Sequence, residues 1–318
     1  MIEDAVFRLF DELMATSDAG ELIAIGPRLE EMGWAAIESE YPLDACELLF
    51  RAQGRSLANT DCLSRAMLAE LGGTLEGQAD GIVLLDPTNG EAPATAGDTF
   101  SGVVLGPARG RLAVPVHNAT GSTSISIVDA DRLAGERLDT FDNTSYWTRV
   151  SGDIAGPVIE ASDAWNRATT TAYRALATEL LELTQQALRI AVEHTRVRVQ
   201  FGSPIGSFQS PRHRLAGVAA STEGARALVD EAWQSGEMLT AQIAKAAAGR
   251  AHRQVSDAAL QVCGAIGLTA EHDLHRYVTR GYQVDSLCGS YQQLETQLGE
   301  HLFGISPRES LPQIVTLG

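Results

Sequence analysis

Apolar residues return every three or four positions along the first quarter of the chain. Val6, Phe7, Phe10, Leu13 and Met14 fall on one face of a helix, and residues 29–34, 43–57 and 62–71 continue the pattern. Pro42, Gly54 and the Gly72-Gly73 pair read as separators between these helices. The period then shortens. Residues 82–85, 101–105, 112–116 and 124–128 are brief Val- and Ile-rich runs spaced by Pro, Gly, Asn and Asp, which predicts a small antiparallel β domain, with 86–98 as a loop. The helical period returns over 163–199, 208–235, 237–266 and 286–304, enough for an antiparallel four-helix bundle. In the first of these, Leu176, Leu180, Leu183, Ala187 and Ala191 form one buried stripe. The predicted class is α+β, with an N-terminal helical domain over 1–80, a β domain over 81–156 and a helical bundle domain over 157–318. No internal repeat or low-complexity tract interrupts it.

Composition narrows the function. Among 318 residues, 24 Lys and Arg face 41 Asp and Glu, a formal charge of −17. That balance repels phosphate backbones and anionic head groups, so nucleic acid and membrane surfaces are not expected partners. Hydrophobic residues make up 44% but aromatics only 6%, so Ala and Leu must carry the core, which favours helices. The acidic N-terminal segment has no apolar run of a secretory signal, and no stretch approaches the roughly 18 apolar residues of a membrane span. Cys46, Cys62, Cys263 and Cys288 show no C-x-x-C spacing and read as reduced thiols, so a cytoplasmic protein is expected.

The chemistry concentrates in Arg196-Val-Arg198-Val-Gln200-Phe201-Gly202-Ser-Pro204-Ile-Gly-Ser-Phe208-Gln209. This is a Gly/Pro/Ser turn between two helices. Arg198 offers a charge-assisted fork to a phosphate, Gln200 offers amide donors, and a helix starting near Phe208 points unpaired N–H groups the same way. Taken alone, Arg198 reads rather as a solvated cation at a helix C-terminus, and the Gln261–Gly267 turn rather as a helix C-cap; together, and in this order, they point to cofactor contact. His213 falls on the polar side of a helix. Glu193-His194 has no second ligand pair at i+4, so no metal site is predicted.

The string R-x-Q-F-G-x-P-I-x-x-F-Q over residues 198–209 closely resembles the signature of the acyl-CoA dehydrogenase family. Leu85-Asp-Pro87-x-x-Gly90 is similar to that family's T-E-P-x-x-G, Gln261-x-x-Gly264-x-x-Gly267 to its Q-x-x-G-G-x-G, and Arg276-x-x-x-Arg280 through Cys288-Gly289-Ser290-Tyr-Gln292 to its closing R-x-x-R-D and E-G-T-x-Q. The resemblance implies the same order of helical, β and bundle domains. It also implies FAD as cofactor, with Arg198, Gln200, Phe201 and Gln209 around its ADP half, and Gln261 and Gly264 reaching it from a bundle neighbour. The family removes the α proton of an acyl-CoA thioester with a carboxylate while the β hydride goes to flavin.

Two departures stand out. The family's base position before G-T-x-Q holds Cys288, and the alternative one on the first bundle helix, about 30 residues before F-G, falls at Ala172. Neither is a carboxylate, and a thiol is a poor replacement. The aromatic-Ile-Thr segment that stacks on the flavin ring is also missing between Gly102 and Val128, where only residues 106–111 and 120–123 offer a turn, and no Trp follows until Trp147. The resemblance therefore implies no catalytic residue here. It points to a chain similar to the smaller, non-catalytic subunit of α2β2 acyl-CoA dehydrogenases of actinobacterial steroid catabolism. FAD would be shared, and a catalytic partner would supply the base, the flavin-ring pocket and most contacts to a bulky, steroid-derived CoA thioester. Two alternatives remain: a self-sufficient homo-oligomer using Glu179 or Glu182 as base, and a flavin-free structural or regulatory paralogue.

Overall fold

The computed structural model describes residues 2–16, 21–87, 94–95, 99–118, 121–138, 140, 142, 145–154, 157–269 and 271–304; Gly90, Thr120 and Gly156 lie outside the described residues. The N-terminal layer consists of α1 (Ile2–Thr16), α2 (Gly26–Glu31), α3 (Trp34–Glu40), α4 (Pro42–Ser56) and α5 (Cys62–Leu75). Val6, Phe10 and Leu13 bury the inner face of α1. Of the three expected separators, Pro42 does fall at the boundary between α3 and α4, while the other two behave otherwise. Pro42 opens α4 at its first turn, where a missing N–H costs nothing. Gly72 and Gly73 lie inside α5. Gly54 lies inside the last turn of α4, where a Cβ would stand 2.7 Å from the carbonyl oxygen of Glu179. It is a contact glycine that lets α4 approach the bundle.

The β region is not purely antiparallel. One sheet runs β1 (Gly81–Ile82), β4 (Arg111–His117), β5 (Thr123–Asp129) and β8 (Val158–Glu160), with β2 (Ala94–Thr95) also on β4, and both β1 and β2 pair parallel to β4. The other runs β3 (Thr99–Leu105), β7 (Trp147–Asp153) and β6 (Ala134–Leu138), antiparallel throughout. Strands β6 and β7 escaped the sequence reading because most of their positions are exposed or half-buried and polar, so little apolar alternation marks them. Val83, Val104, Val114 and Val150 form a separate small core here.

The bundle opens with α6 (Ser162–Val197), whose predicted stripe of Leu176, Leu180, Leu183, Ala187 and Ala191 is buried. After it come the hairpin β9 (Val199–Gln200) and β10 (Ser203–Pro204), α7 (Gln209–Ser235), α8 (Met238–Cys263), α9 (Leu274–Ser286) and α10 (Tyr291–Gly304). The expected fourth helix over 286–304 is corrected by this arrangement. The bundle position is taken by α9, which ends where Cys288 and Gly289 adopt φ of 55° and 96°, and α10 follows after that break. Arginines and polar residues interleaved with Tyr277, Val278 and Val284 hid α9. The main core runs continuously from α1 through α4, α5 and the inner faces of the strands into α6, α8 and α9. No helix among the described residues is long and apolar enough to cross a membrane.

Small residues set the helix spacing. Gly281 on α9 faces His252 on α8, where a Cβ would meet the imidazole Nε2 at 2.0 Å. That ring is buried, with Nδ1 3.2 Å from the Thr184 hydroxyl and Nε2 3.3 Å from the Val278 carbonyl. Burial pulls its pKa down to about 4, against a smaller opposing effect of the Val278 carbonyl. The folded pKa lies below the unfolded value of about 6.5. The neutral ring's contribution is therefore complete above pH 6.5 and is lost as pH falls toward 4. Urea unfolding at pH 7.5 and pH 4.5 should show a loss attributable to His252 on the order of 3 kcal/mol. His252→Asn, less stable at pH 7.5, should show a shallower decline; an equally steep one would place the acid sensitivity elsewhere.

Candidate functional site

Arg198 ends α6 as its C-cap, with its N–H on the His194 carbonyl at 2.9 Å and its carbonyl accepting the Ile205 N–H at 2.8 Å. Val199 and Gln200 pair with Pro204 and Ser203 across a two-residue turn, Phe201-Gly202, with φ of 54° and 81°. Two positive φ values match the right-handed twist of a tight hairpin. The price at a non-glycine residue is strain at Phe201. Its side chain is 95% exposed, edge-on to Phe208 at 6.2 Å between centroids. Phe208 caps α7 with extended backbone and no side-chain hydrogen bond, so Gln209 begins the helix with uncapped first-turn N–H groups. Arg198 has no ion-pair partner among the described residues, and Gln200 Nε2 donates only to the carbonyl of Val199 at 2.8 Å.

Gln261 and Gly264 stand at the matching end of α8. Gly264 has φ 68° and ψ −151°, a region open essentially to glycine alone, and nothing lies within 4 Å of where a Cβ would be. Gln261 is exposed. Val197, Val199, Phe201, Ile266 and Leu268 are exposed at this end of the bundle, a concentration of apolar surface rimmed by polar groups that suits a protein contact. His213 is also exposed, on the polar side of α7.

His194 does gain neighbours that sequence spacing could not show. Its ring, the Cys263 thiol and the His272 ring bring ligand-type atoms within 4.8 Å of one another. Zinc bonds of about 2.0–2.3 Å need tetrahedral ligand atoms roughly 3.3–3.7 Å apart. The three groups would have to close up to hold an ion. His272 Nδ1 already accepts the Leu274 N–H at 3.3 Å, and burial pushes the Cys263 thiol up to about 11.

Neither of the two positions corresponding to the family's base carries a carboxylate. Ala172 is fully buried on α6, and its neighbour Tyr173 lies within electrostatic range of Cys288. Burial pushes the Cys288 thiol up to about 11, only partly offset by Lys245, so it is protonated at neutral pH. Lys245 is itself buried, its ammonium donating to the carbonyls of Asp285 at 2.9 Å and Gly289 at 2.5 Å, which pins the turn carrying Cys288.

The space beside these positions is filled. Leu176, Glu179, Trp147, Arg280 and Leu287 surround a residual cavity of about 20 Å³, room for a water molecule and nothing larger. Glu179 Oε1 pairs with Arg280 Nη2 at 3.2 Å, and its Oε2 accepts from Gln53 Nε2 at 2.8 Å. Arg280 also reaches Asp142 at 3.7 Å, and Gln53 in turn accepts from the Thr60 hydroxyl. Glu182 pairs with Arg51 at 3.5 Å near the surface, and burial raises its pKa with Arg51 opposing. Both candidate carboxylates are held by arginines rather than aimed into an open pocket. In the sequence Arg280 is only a motif letter, because its partner Glu179 is 101 residues away.

Residues 167–289 match the family model for the acyl-CoA dehydrogenase C-terminal domain. The chain is 29% identical over 288 residues to the acyl-CoA dehydrogenase IpdE2 of Mycobacterium tuberculosis, spanning 90% of this chain and 80% of that protein. In fold it is similar to the ChsE4–ChsE5 complex from Mycobacterium tuberculosis, with TM-score 0.76 at 19% identity, covering 96% of this chain and 98% of the other. The Tcur3481–Tcur3483 steroid acyl-CoA dehydrogenase gives TM-score 0.76 at 22% identity, covering 95% and 97%.

Proposed function

The chain belongs to the acyl-CoA dehydrogenase family, and on that premise we propose that it is the non-catalytic subunit of a heteromeric, FAD-dependent acyl-CoA dehydrogenase. The carrying observation is the filled site: Ala172 and Cys288 occupy the base positions, and the cavity walled by Leu176, one turn on from Ala172, and Leu287, next to Cys288, holds only about 20 Å³. A flavin ring and a thioester cannot enter there. The partner subunit supplies the carboxylate base and the ring pocket, in an α2β2 assembly with two flavins. The resemblance in fold to a two-protein complex and to a steroid acyl-CoA dehydrogenase supports that assembly and a bulky, steroid-derived CoA thioester as substrate.

The end of the bundle where α6 and α8 finish suits the ADP half of FAD. Arg198 offers a guanidinium with no carboxylate partner among the described residues, α7 offers uncapped N–H groups, and Gly264 offers backbone that a ligand can approach closely. Gln200, Phe201 and Gln209 stand around Arg198, and Gln261 beside Gly264. Flavin, when bound, supplies the electron acceptor for α,β-dehydrogenation. This chain's residues anchor its pyrophosphate and adenine and close the interface; no proton moves through them.

Co-expression with the product of the neighbouring gene tests the reading. The chain alone should purify colourless and inactive, and the complex yellow and active. Activity and flavin in the chain alone would establish the self-sufficient enzyme, and a colourless complex with its partner would establish the flavin-free paralogue. In the active complex, Cys288→Ala should keep turnover within about threefold, because a methyl-sized change at a packed position costs about 1 kcal/mol of stability rather than a chemical step. A thousand-fold fall in kcat at full flavin content would give the thiol a chemical role.

A further inference from the structure

We propose that this subunit has its own binding site for a hydrophobic carboxylate, in a cavity of about 940 Å³ between α4, α5, α6 and the β region, with Arg174 as the anion receptor. The cavity is separate from the reaction-centre positions. Thr171 and Arg174, three residues apart on α6, line it, whereas Tyr173, beside Cys288, projects from the opposite flank of the helix. It does not involve the Arg198 turn either.

Most of the wall is apolar: Leu49 and Phe50 from α4, Ala66 and Ala69 from α5, and Val104 and Leu112 from the strands. Its size is that of pockets that enclose small organic ligands. Arg174 breaks the pattern. Its side chain is 94% buried, its relative exposure being 6%, and its guanidinium carbon sits 4.8 Å from the Trp233 ring centroid. Nη2 donates to the Thr171 hydroxyl at 3.1 Å, and that hydroxyl donates to Glu70 at 3.0 Å. Nε is buried with no hydrogen-bond partner among the described residues. No carboxylate pairs with Arg174 there either: Glu70 pairs with Arg167 at 3.6 Å, and Glu38, at the same cavity, with Arg65 at 2.6 Å.

Glu70 acts on this guanidinium only at a distance, across the Thr171 hydroxyl; a buried guanidinium with no carboxylate in direct contact is costly, and the fork geometry of Arg suits a planar carboxylate. Trp233 lies 4.8 Å from the guanidinium carbon, with its own N–H engaged by Thr178, and from this position Arg174 forms part of the cavity wall. The Cys46 thiol on the wall is pushed up to about 12 by burial, so it presents a neutral, hydrophobe-like surface. Together these features recognise a carboxylate head followed by an aliphatic or alicyclic body. A free acid and the distal carboxylate of a larger thioester share that chemistry.

Isothermal titration of the co-expressed complex with decanoate, with decanol as its uncharged counterpart, tests this. Decanoate should bind at least tenfold more tightly than decanol, and Arg174→Gln should weaken decanoate about 10- to 100-fold while leaving decanol unchanged. Flavin content should not change in Arg174→Gln, and Arg198→Ala should not change decanoate affinity, so failure of the flavin reading and failure of this one are told apart. Decanoate titrated in the presence of decanedioyl-CoA separates the two sources: competition assigns the site to the free end of a thioester, and its absence to a free acid. Equal affinity of the wild-type complex for decanoate and decanol overturns the proposal whether or not the variant folds. So does undiminished decanoate binding by a folded Arg174→Gln complex, or loss of flavin together with decanoate binding.

Discussion

Arg198→Ala in the co-expressed complex should purify with depleted FAD. In the lone chain the guanidinium ends α6 beside the Phe201-Gly202 turn with no ion-pair partner among the described residues, and the uncapped start of α7 faces the same end of the bundle. An arginine so placed at an interface donates paired, charge-assisted hydrogen bonds to a pyrophosphate. Removing such a pair costs about 2–4 kcal/mol. At tenfold per 1.4 kcal/mol, flavin binding weakens about 30- to 700-fold. Free FAD should restore activity, and the acyl-CoA KM should be unchanged once the flavin site is saturated. Lysine at this position should rescue only in part, because a point charge lacks the planar fork. Full flavin occupancy after dialysis of Arg198→Ala would reduce the turn to a packing element.

Much of this molecule was legible along the chain because its helices are long and their stripes regular. The spacing of Leu176 through Ala191 identifies α6 without any tertiary knowledge, and Val6, Phe10 and Leu13 identify α1. The turn at Arg198 was legible because its chemistry is local: Arg, Gln, a left-handed Phe-Gly pair and a helix start all lie within a dozen residues. What escaped depends on partners remote in sequence. Gly54 looked like a break and is a contact surface for the Glu179 backbone, which only the packing of α4 on α6 defines. α9 was hidden because Arg280 and Gln283, polar letters in a helical frame, point inward to Glu179 and Ser145. Buried polar networks invert the pattern on which periodicity reading depends. Arg174 escaped for the same reason, as a charged residue on a stripe where charge is not expected.

Glu179 carries the second large effect, and it separates a structural carboxylate from a catalytic one. The side chain is buried, Arg280 is buried opposite it, and the nearest other anion, Asp142, stands 3.7 Å from a different nitrogen of the same guanidinium. Removing one member of a buried pair costs about 3–5 kcal/mol where the other charge is left uncompensated, and here Arg280 would keep only the longer contact with Asp142. Glu179→Ala should therefore lower the melting temperature by on the order of 10 °C. Glu179→Gln, which keeps the Gln53 contact geometry but loses the charge, should fall between that variant and the wild type. Replacing both partners, Glu179→Leu with Arg280→Met, should recover part of the loss, since it removes the Glu179 and Arg280 charges together, while buried Asp142 gives up its contact with Arg280. Turnover per folded, flavin-loaded complex should stay near wild type for Glu179→Gln, and likewise for Glu182→Gln, whose carboxylate is engaged by Arg51. The opposite pattern, a melting temperature unchanged in Glu179→Gln with α-proton exchange abolished, would make Glu179 the base of a self-sufficient enzyme. The carboxylate's pairing with Arg280 and its hydrogen bond from Gln53 argue for the first pattern, because both tie the side chain into the buried packing between α4, α6 and α9.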